Sequence, residues 1–186
     1  MKSLLFRRII LPAASVAFLA FALAGCGYTT HSVVTEKFST IHIQPFSNKV
    51  DITKDTYGGN KYRIYRPLLE SDINLAVTNA FLIDGNLKPA TEELGDLVLK
   101  GELVEFRRDP LRYDNNDNVI EYRINIVVNL KLWDKKENKL LWEENNFTGD
   151  TTYFNTGSQA RSEDQAVSDA LGDLARRIVE RTVENW

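Results

Sequence analysis

The chain has 186 residues, with 23 Lys and Arg against 26 Asp and Glu, for a formal net charge of −3. This mildly acidic balance argues against nucleic acid as a partner. A single cysteine excludes an internal disulfide, so the fold must stand without a covalent staple.

The N-terminus reads as a targeting segment. Lys2, Arg7 and Arg8 form a basic start, and Ile9 to Ala24 is an apolar run broken only by Pro12 and Ser15, the layout of a secretory signal. The run has 16 residues, fewer than the roughly 20 that a membrane-spanning helix needs. It closes on Leu23-Ala24-Gly25-Cys26, which resembles the bacterial lipobox. Small side chains at Ala24 and Gly25 admit a peptidase, Leu23 fills an apolar subsite, and only the Cys26 thiol yields a thioether. The alternative is an ordinary signal followed by a free cysteine. The expected organisation is a lipoprotein signal peptide at 1–25, an acylated tether at 26–37 and a single α+β domain at 38–186. Loss of Lys2, Arg7 and Arg8 with the signal moves the charge from −3 to −6, and 161 of the 186 residues remain, enough for one core. N-acyl and S-diacylglycerol chains on Cys26 would anchor the protein durably, at about 0.8 kcal/mol per buried methylene. Gly27, where Asp would retain a lipoprotein at the inner membrane, favours the outer membrane by resemblance to proteobacterial lipoproteins.

Along the domain, Phe38 to Phe46 predicts a strand burying Ile41, Ile43 and Pro45, with His42 on the polar face. Residues 48–61, with Gly58-Gly59-Asn60, predict an exposed loop. A helix is expected from about Arg66, with Pro67 early and Asp84-Gly85 as its stop. Its apolar stripe comprises Leu69, Ile73, Ala76, Val77, Ala80 and Phe81. Asp96 to Arg107 predicts a second strand, with Gly101 marking a bulge. The third carries Tyr122, Ile124, Ile126, Val128, Leu130 and Leu132 on one face, after a turn at Asp114–Asn118. A fourth spans Leu140 to about Asp150, after a turn at Lys135–Lys139. The last helix runs from Ser162 to near Glu184, opened by the capping box Ser162-Glu163-Asp164-Gln165. Its stripe is Val167, Ala170, Leu171, Leu174, Ile178 and Thr182, with Arg176, Arg177 and Arg181 late, where cations suit the dipole. The order β-α-β-β-β-α predicts an α+β fold, a four-stranded, mostly antiparallel sheet with two helices packed on one face.

Chemistry is sparse. His31 and His42 lie in the tether and first strand, and no nucleophile, base and orienting group can be assembled. The protein is therefore not expected to be an enzyme. Asp114-x-Asn116-x-Asn118 mimics the start of a calcium loop, but Val119 stands where glycine is needed and no glutamate follows at the twelfth position, so it reads as a hairpin turn and no metal site is expected. Glu143 and Glu144, adjacent in a strand, face opposite ways. Surfaces remain. Arg107, Arg108 and Arg112 are expected to cluster at the hairpin joining the second and third strands, close to Tyr113, and Arg161 just precedes the last helix. Guanidinium forks suit phosphate; solvated loop charge is the plainer alternative.

In order, Leu23-Ala24-Gly25-Cys26-Gly27-Tyr28, Ile41-His42-Ile43-Gln44-Pro45-Phe46, Phe81-Leu82-Ile83-Asp84-Gly85, Asp96-Leu97-Val98-Leu99-Lys100-Gly101, Pro110-Leu111-Arg112-Tyr113, Glu121-Tyr122-Arg123, Leu141-Trp142-Glu143 and Asp173-Leu174-Ala175-Arg176-Arg177-Ile178 resemble the LPS-assembly lipoproteins (LptE). Asp51 to Tyr65 is longer than that pattern. The resemblance implies a lipid-anchored outer-membrane subunit that plugs the LptD β-barrel, supports its assembly and binds lipopolysaccharide. Its basic ligand-binding positions correspond most nearly to Arg112 and Arg161, with Arg107 and Arg108 beside them. A plug should be compact, tethered, and polar toward a hydrated lumen, for instance through Asn125, Asn129, Asn145 and Asn146. A different class of function is a periplasmic lipoprotein that activates or scaffolds a cell-wall enzyme. Such a role needs a long linker, and only about ten residues separate Cys26 from the first strand, which favours the membrane-proximal role.

Overall fold

The structure is a computed structural model that describes residues 37–50 and 66–183. The signal segment 1–25, Cys26, the tether as far as Glu36 and most of the 48–61 loop lie outside the described residues.

Eight elements follow in order: β1 (Thr40–Ile43), β2 (Ser47–Asn48), α1 (Leu69–Asp84), β3 (Lys88–Pro89), β4 (Leu97–Tyr113), β5 (Val119–Asp134), β6 (Lys139–Phe154) and α2 (Glu163–Val183). The sheet order is β3-β1-β4-β5-β6, with β2 also paired to β4. Three long strands, β4 to β6, form an antiparallel meander, whereas β1, β2 and β3 pair in parallel. The sheet is thus mixed and six-stranded, not four-stranded. Two-residue strands carry no period, so the alternation that reveals β5 has nothing to act on in β2 or β3.

The predicted first strand breaks after Ile43. Pro45 brings no N–H to a ladder and is exposed, while Phe46 turns inward and is 5% exposed. Gly101 makes this possible. A Cβ there would stand 2.1 Å from the Phe46 ring, so the glycine is a seat for an aromatic ring and not a bulge. The register shifts of this strand fall instead between Leu103 and Glu105 and between Pro110 and Tyr113.

The inner face carries the core. Leu97, Leu99 and Leu103 of β4, with Ile124, Ile126, Val128, Leu130 and Leu132 of β5, are at most 1% exposed. α1 adds Leu69, Ile73, Val77 and Phe81, and ends where Gly85, at φ 77°, donates its N–H to the Phe81 carbonyl. The expected early Pro67 is followed by Leu68 at φ 61°, with no side-chain cap. α2 opens on Ser162, whose Oγ accepts the N–H of Gln165 at 3.2 Å. It lies close on β6, since a Cβ on Gly149 would meet Leu174 Cβ at 2.3 Å and its Cα at 2.6 Å.

β6 is a sheet edge, and such an edge invites pairing with another chain. α2 closes part of it. Arg177 donates to the Thr148 carbonyl, Asp173 accepts the Asp150 N–H, and Arg161 donates to the Thr152 carbonyl. Three aromatic contacts add to this docking: Arg108 over Tyr122 with Glu163 as its ion partner, Arg177 over Phe147, and Arg181 over Trp142 with Glu144 as its partner. Burial and then the Glu163 carboxylate push the Tyr153 phenol up.

Candidate anionic-ligand surface

The four arginines do not form one cluster. Strand parity divides them. Arg107 lies on the outer face of β4, 3.6 Å from Glu105 and 3.7 Å from Asp109. Arg108 lies on the inner face, tied to Glu163 of α2. Both serve the sheet's own architecture.

Arg112 and Arg161 both contact Phe154, Arg112 through its guanidinium and Arg161 through its backbone N–H. The Arg112 guanidinium is 5.5 Å from the Phe154 ring centroid and 3.4 Å from Glu121. Arg161 follows a turn whose Ala160 bridges back to Phe154, and its own N–H donates to the Phe154 carbonyl at 2.9 Å. The Arg161 guanidinium then reaches Asp169 at 2.5 Å and the Thr152 carbonyl at 2.7 Å. Arg112 is 61% exposed at its side chain and Arg161 37%. Arg112 is therefore the more open of the two guanidiniums, and that of Arg161 is engaged by Asp169.

Phe154, Glu121 and Asp169 were not candidates on sequence. Phe154 falls beyond the predicted end of the fourth strand, and the pairing Arg112↔Glu121↔Phe154 across three strands depends on a register that one sequence does not print. Asp114 organises the neighbouring hairpin by accepting the N–H groups of Asn116 and Asn118 at 2.8 and 2.9 Å. The side chain and N–H of Asn118, then the N–H of Asn116, hold its carboxyl below the usual range.

Part of the predicted polar lumen face is used internally. Asn125 is only 7% exposed and donates to Asp109 at 2.8 Å, and Asn129 accepts the N–H of Asn146 at 3.0 Å. Asn145 and Asn146 are exposed.

The opposite end of the sheet fastens the start of the domain. Lys37 bridges Asp134 at 3.1 Å and Glu137 at 3.0 Å. Asp96 Oδ2 accepts the N–H groups of Ser39 and Thr40 at 3.1 and 3.0 Å, and the Thr40 hydroxyl at 2.8 Å. The Ser39 backbone and Thr40 hydroxyl hold its carboxyl below the usual range. The 17 residues of β4 run between the two ends, a span of roughly 50 Å at about 3.3 Å per residue.

The lipopolysaccharide-assembly model, LptE, matches residues 38–182. The chain belongs to the LptE family. The match runs from Phe38, just before β1, to Thr182 in the last turn of α2, so both ends of the sheet fall within it. Protein XCC0632 from Xanthomonas campestris has a similar fold, with a TM-score of 0.52 and 14% identity over 78% of this chain and 84% of the other. A minor lipoprotein from Acinetobacter baumannii gives 0.47 and 13% over 80% and 94%, and rare lipoprotein B from Shewanella oneidensis 0.39 and 13% over 77% and 91%. No match is found among curated proteins.

Proposed function

We propose that this LptE-family chain is the lipid-anchored outer-membrane subunit of a lipopolysaccharide translocon, seated as a plug in an LptD-type β-barrel and binding lipopolysaccharide phosphates through Arg112 and Arg161. The observation that carries the reading is the family match over 38–182, which takes in nearly all of the described residues. The geometry supports the ligand site to this extent: at one end of the sheet the Arg112 guanidinium lies over Phe154, and the Phe154 carbonyl accepts the backbone N–H of Arg161. Their place also bears on the anchor. A tether of residues 26–37, fully extended, reaches at most roughly 40 Å, and Lys37 lies at the far end of the sheet from Arg112. Acyl chains on Cys26 would hold one end of the domain near the membrane while the arginines stand some 50 Å further along the strands, a suitable offset for a ligand passing through a barrel.

Tagged protein extracted from outer membranes in mild detergent should bring a barrel of the LptD type with it, identified by mass; clean recovery with no barrel overturns the plug. With purified lipopolysaccharide, Arg112→Glu combined with Arg161→Glu should weaken binding at least tenfold, and equal binding removes the proposed site. Arg161→Gln serves as a companion because Arg161 also ties Asp169 to Thr152, so its melting temperature separates lost binding from a loosened α2.

A further inference from the structure

The outward side of the two-helix layer carries a feature that the lipopolysaccharide reading leaves unused. An open groove of about 800 Å³ runs between α1 and α2. Its floor is made of small side chains, Ala76 and Ala80 on α1 with Gly172 and Ala175 on α2, and a Cβ placed on Gly172 would meet nothing within 4 Å. Its wall on α1 is large and apolar, with Leu75 62% and Ile83 86% exposed. Leucine and isoleucine at such exposure, beside a floor that lets a backbone approach closely, form the kind of apolar surface that marks an interaction site.

The rim decides what fits. Asp72, Asp84, Asp164 and Glu180 line the groove with Arg66 and Arg176, four negative charges against two positive. Both guanidiniums are already engaged, Arg66 by Asp164 at 2.9 Å, and Arg176 by Asp173 at 2.7 Å and Glu180 at 2.6 Å. Asp72 and Asp84 have no ion-pair partner among the described residues. A net negative rim repels phosphate groups and anionic lipid surfaces, so this groove and the Arg112 end favour opposite ligands.

We propose that the α1–α2 groove is a docking site for an amphipathic helix of a protein partner, its apolar anchors at i, i+3, i+4 and i+7 lying on Ala76, Ala80 and Gly172 and its flanking Lys or Arg residues meeting Asp72 and Asp84. The complement is apolar in the middle and basic at the edges. It does not depend on lipopolysaccharide binding.

The probe is a synthetic 18-residue helical peptide with leucines at that spacing and lysines beside them, against the same peptide with glutamates in place of the lysines. Measured by fluorescence anisotropy with the full mature chain, the basic peptide should bind at least tenfold more tightly than the acidic one. Asp72→Lys with Asp84→Lys should reverse that preference, and Gly172→Trp, filling the groove from an exposed position, should abolish binding of both. Amide shifts in the complex should centre on Ala76, Ala80 and Gly172. Equal binding of the two peptides, a preference that survives the double charge reversal, or shifts centred elsewhere overturns the proposal. So does basic-peptide binding that appears only after residues 51–65 are deleted, since the groove would then belong to the chain's own segment. An unchanged melting temperature and far-UV circular dichroism spectrum for Gly172→Trp confirm that its fold is undisturbed.

Discussion

The two faces of the long meander are built from the same three strands and behave as different materials. On the inner face, Ile124, Ile126, Val128, Leu130 and Leu132 are buried under two helices. On the outer face, one residue out of step, Arg123 reaches Asp150 at 3.7 Å and Lys131 reaches Glu143 at 3.0 Å. Period-2 alternation delivers both sets from one stretch of chain. The dry face fixes the position of the helices, and hence of the α1–α2 groove. The exposed ion pairs of the wet face contribute little to stability, only about 0–1 kcal/mol each.

Substitutions that cross this divide break the contrast most. Phe81→Ala empties a fully buried site and should cost about 3–5 kcal/mol, read as a large drop in the urea midpoint. Next comes Gly149→Val. Its added atoms would collide with the Leu174 backbone, forcing α2 away from β6 at about 1–3 kcal/mol, with earlier hydrogen exchange in α2 as the second readout.

Asp96→Asn tests the fastening at the domain's start. Losing a charged acceptor for Ser39 and Thr40 should cost about 1–2 kcal/mol. Because folding lowers this carboxyl's pKa, its contribution is full above the unfolded value of about 3.9 and is lost as pH falls through the lower, folded value. The wild-type advantage over Asp96→Asn, measured by thermal melting, should therefore be present at neutral pH and shrink in acid. A constant gap down to the lowest pH at which the protein folds contradicts that linkage. The smallest effect belongs to Lys131→Ala on the outer face, within about 0.5 kcal/mol; a larger loss would mean that the outer face is structural after all.

Much of the long framework was legible because its signals are periodic and local. The inner stripe of β5, the stop at Gly85 and the cap at Ser162 follow from alternation, a left-handed φ and a short side-chain bond. Each needs only its neighbours in sequence. β2 and β3 were illegible for the opposite reason, since two residues make no pattern and their pairing partners lie far away in the chain. Gly101 shows the same limit at one position: sequence marks an unusual backbone site, while only packing reveals that Phe46 fills the space.

The candidate site divides likewise. Strand parity alone separates Arg107 from Arg108, because adjacent side chains take opposite faces. The contacts of Arg112 and Arg161 with Phe154 are different. They depend on the register of three strands and on a turn that brings Ala160 back to Phe154. By itself the sequence determined the apolar faces, the helix ends, the lipobox motif at Cys26 and the order of features shared with the LptE family. The tertiary structure decided which arginines contact Phe154, how six strands are joined, and that an acidic apolar groove opens between the helices, because those outcomes depend on contacts between distant segments that local periodicity does not encode.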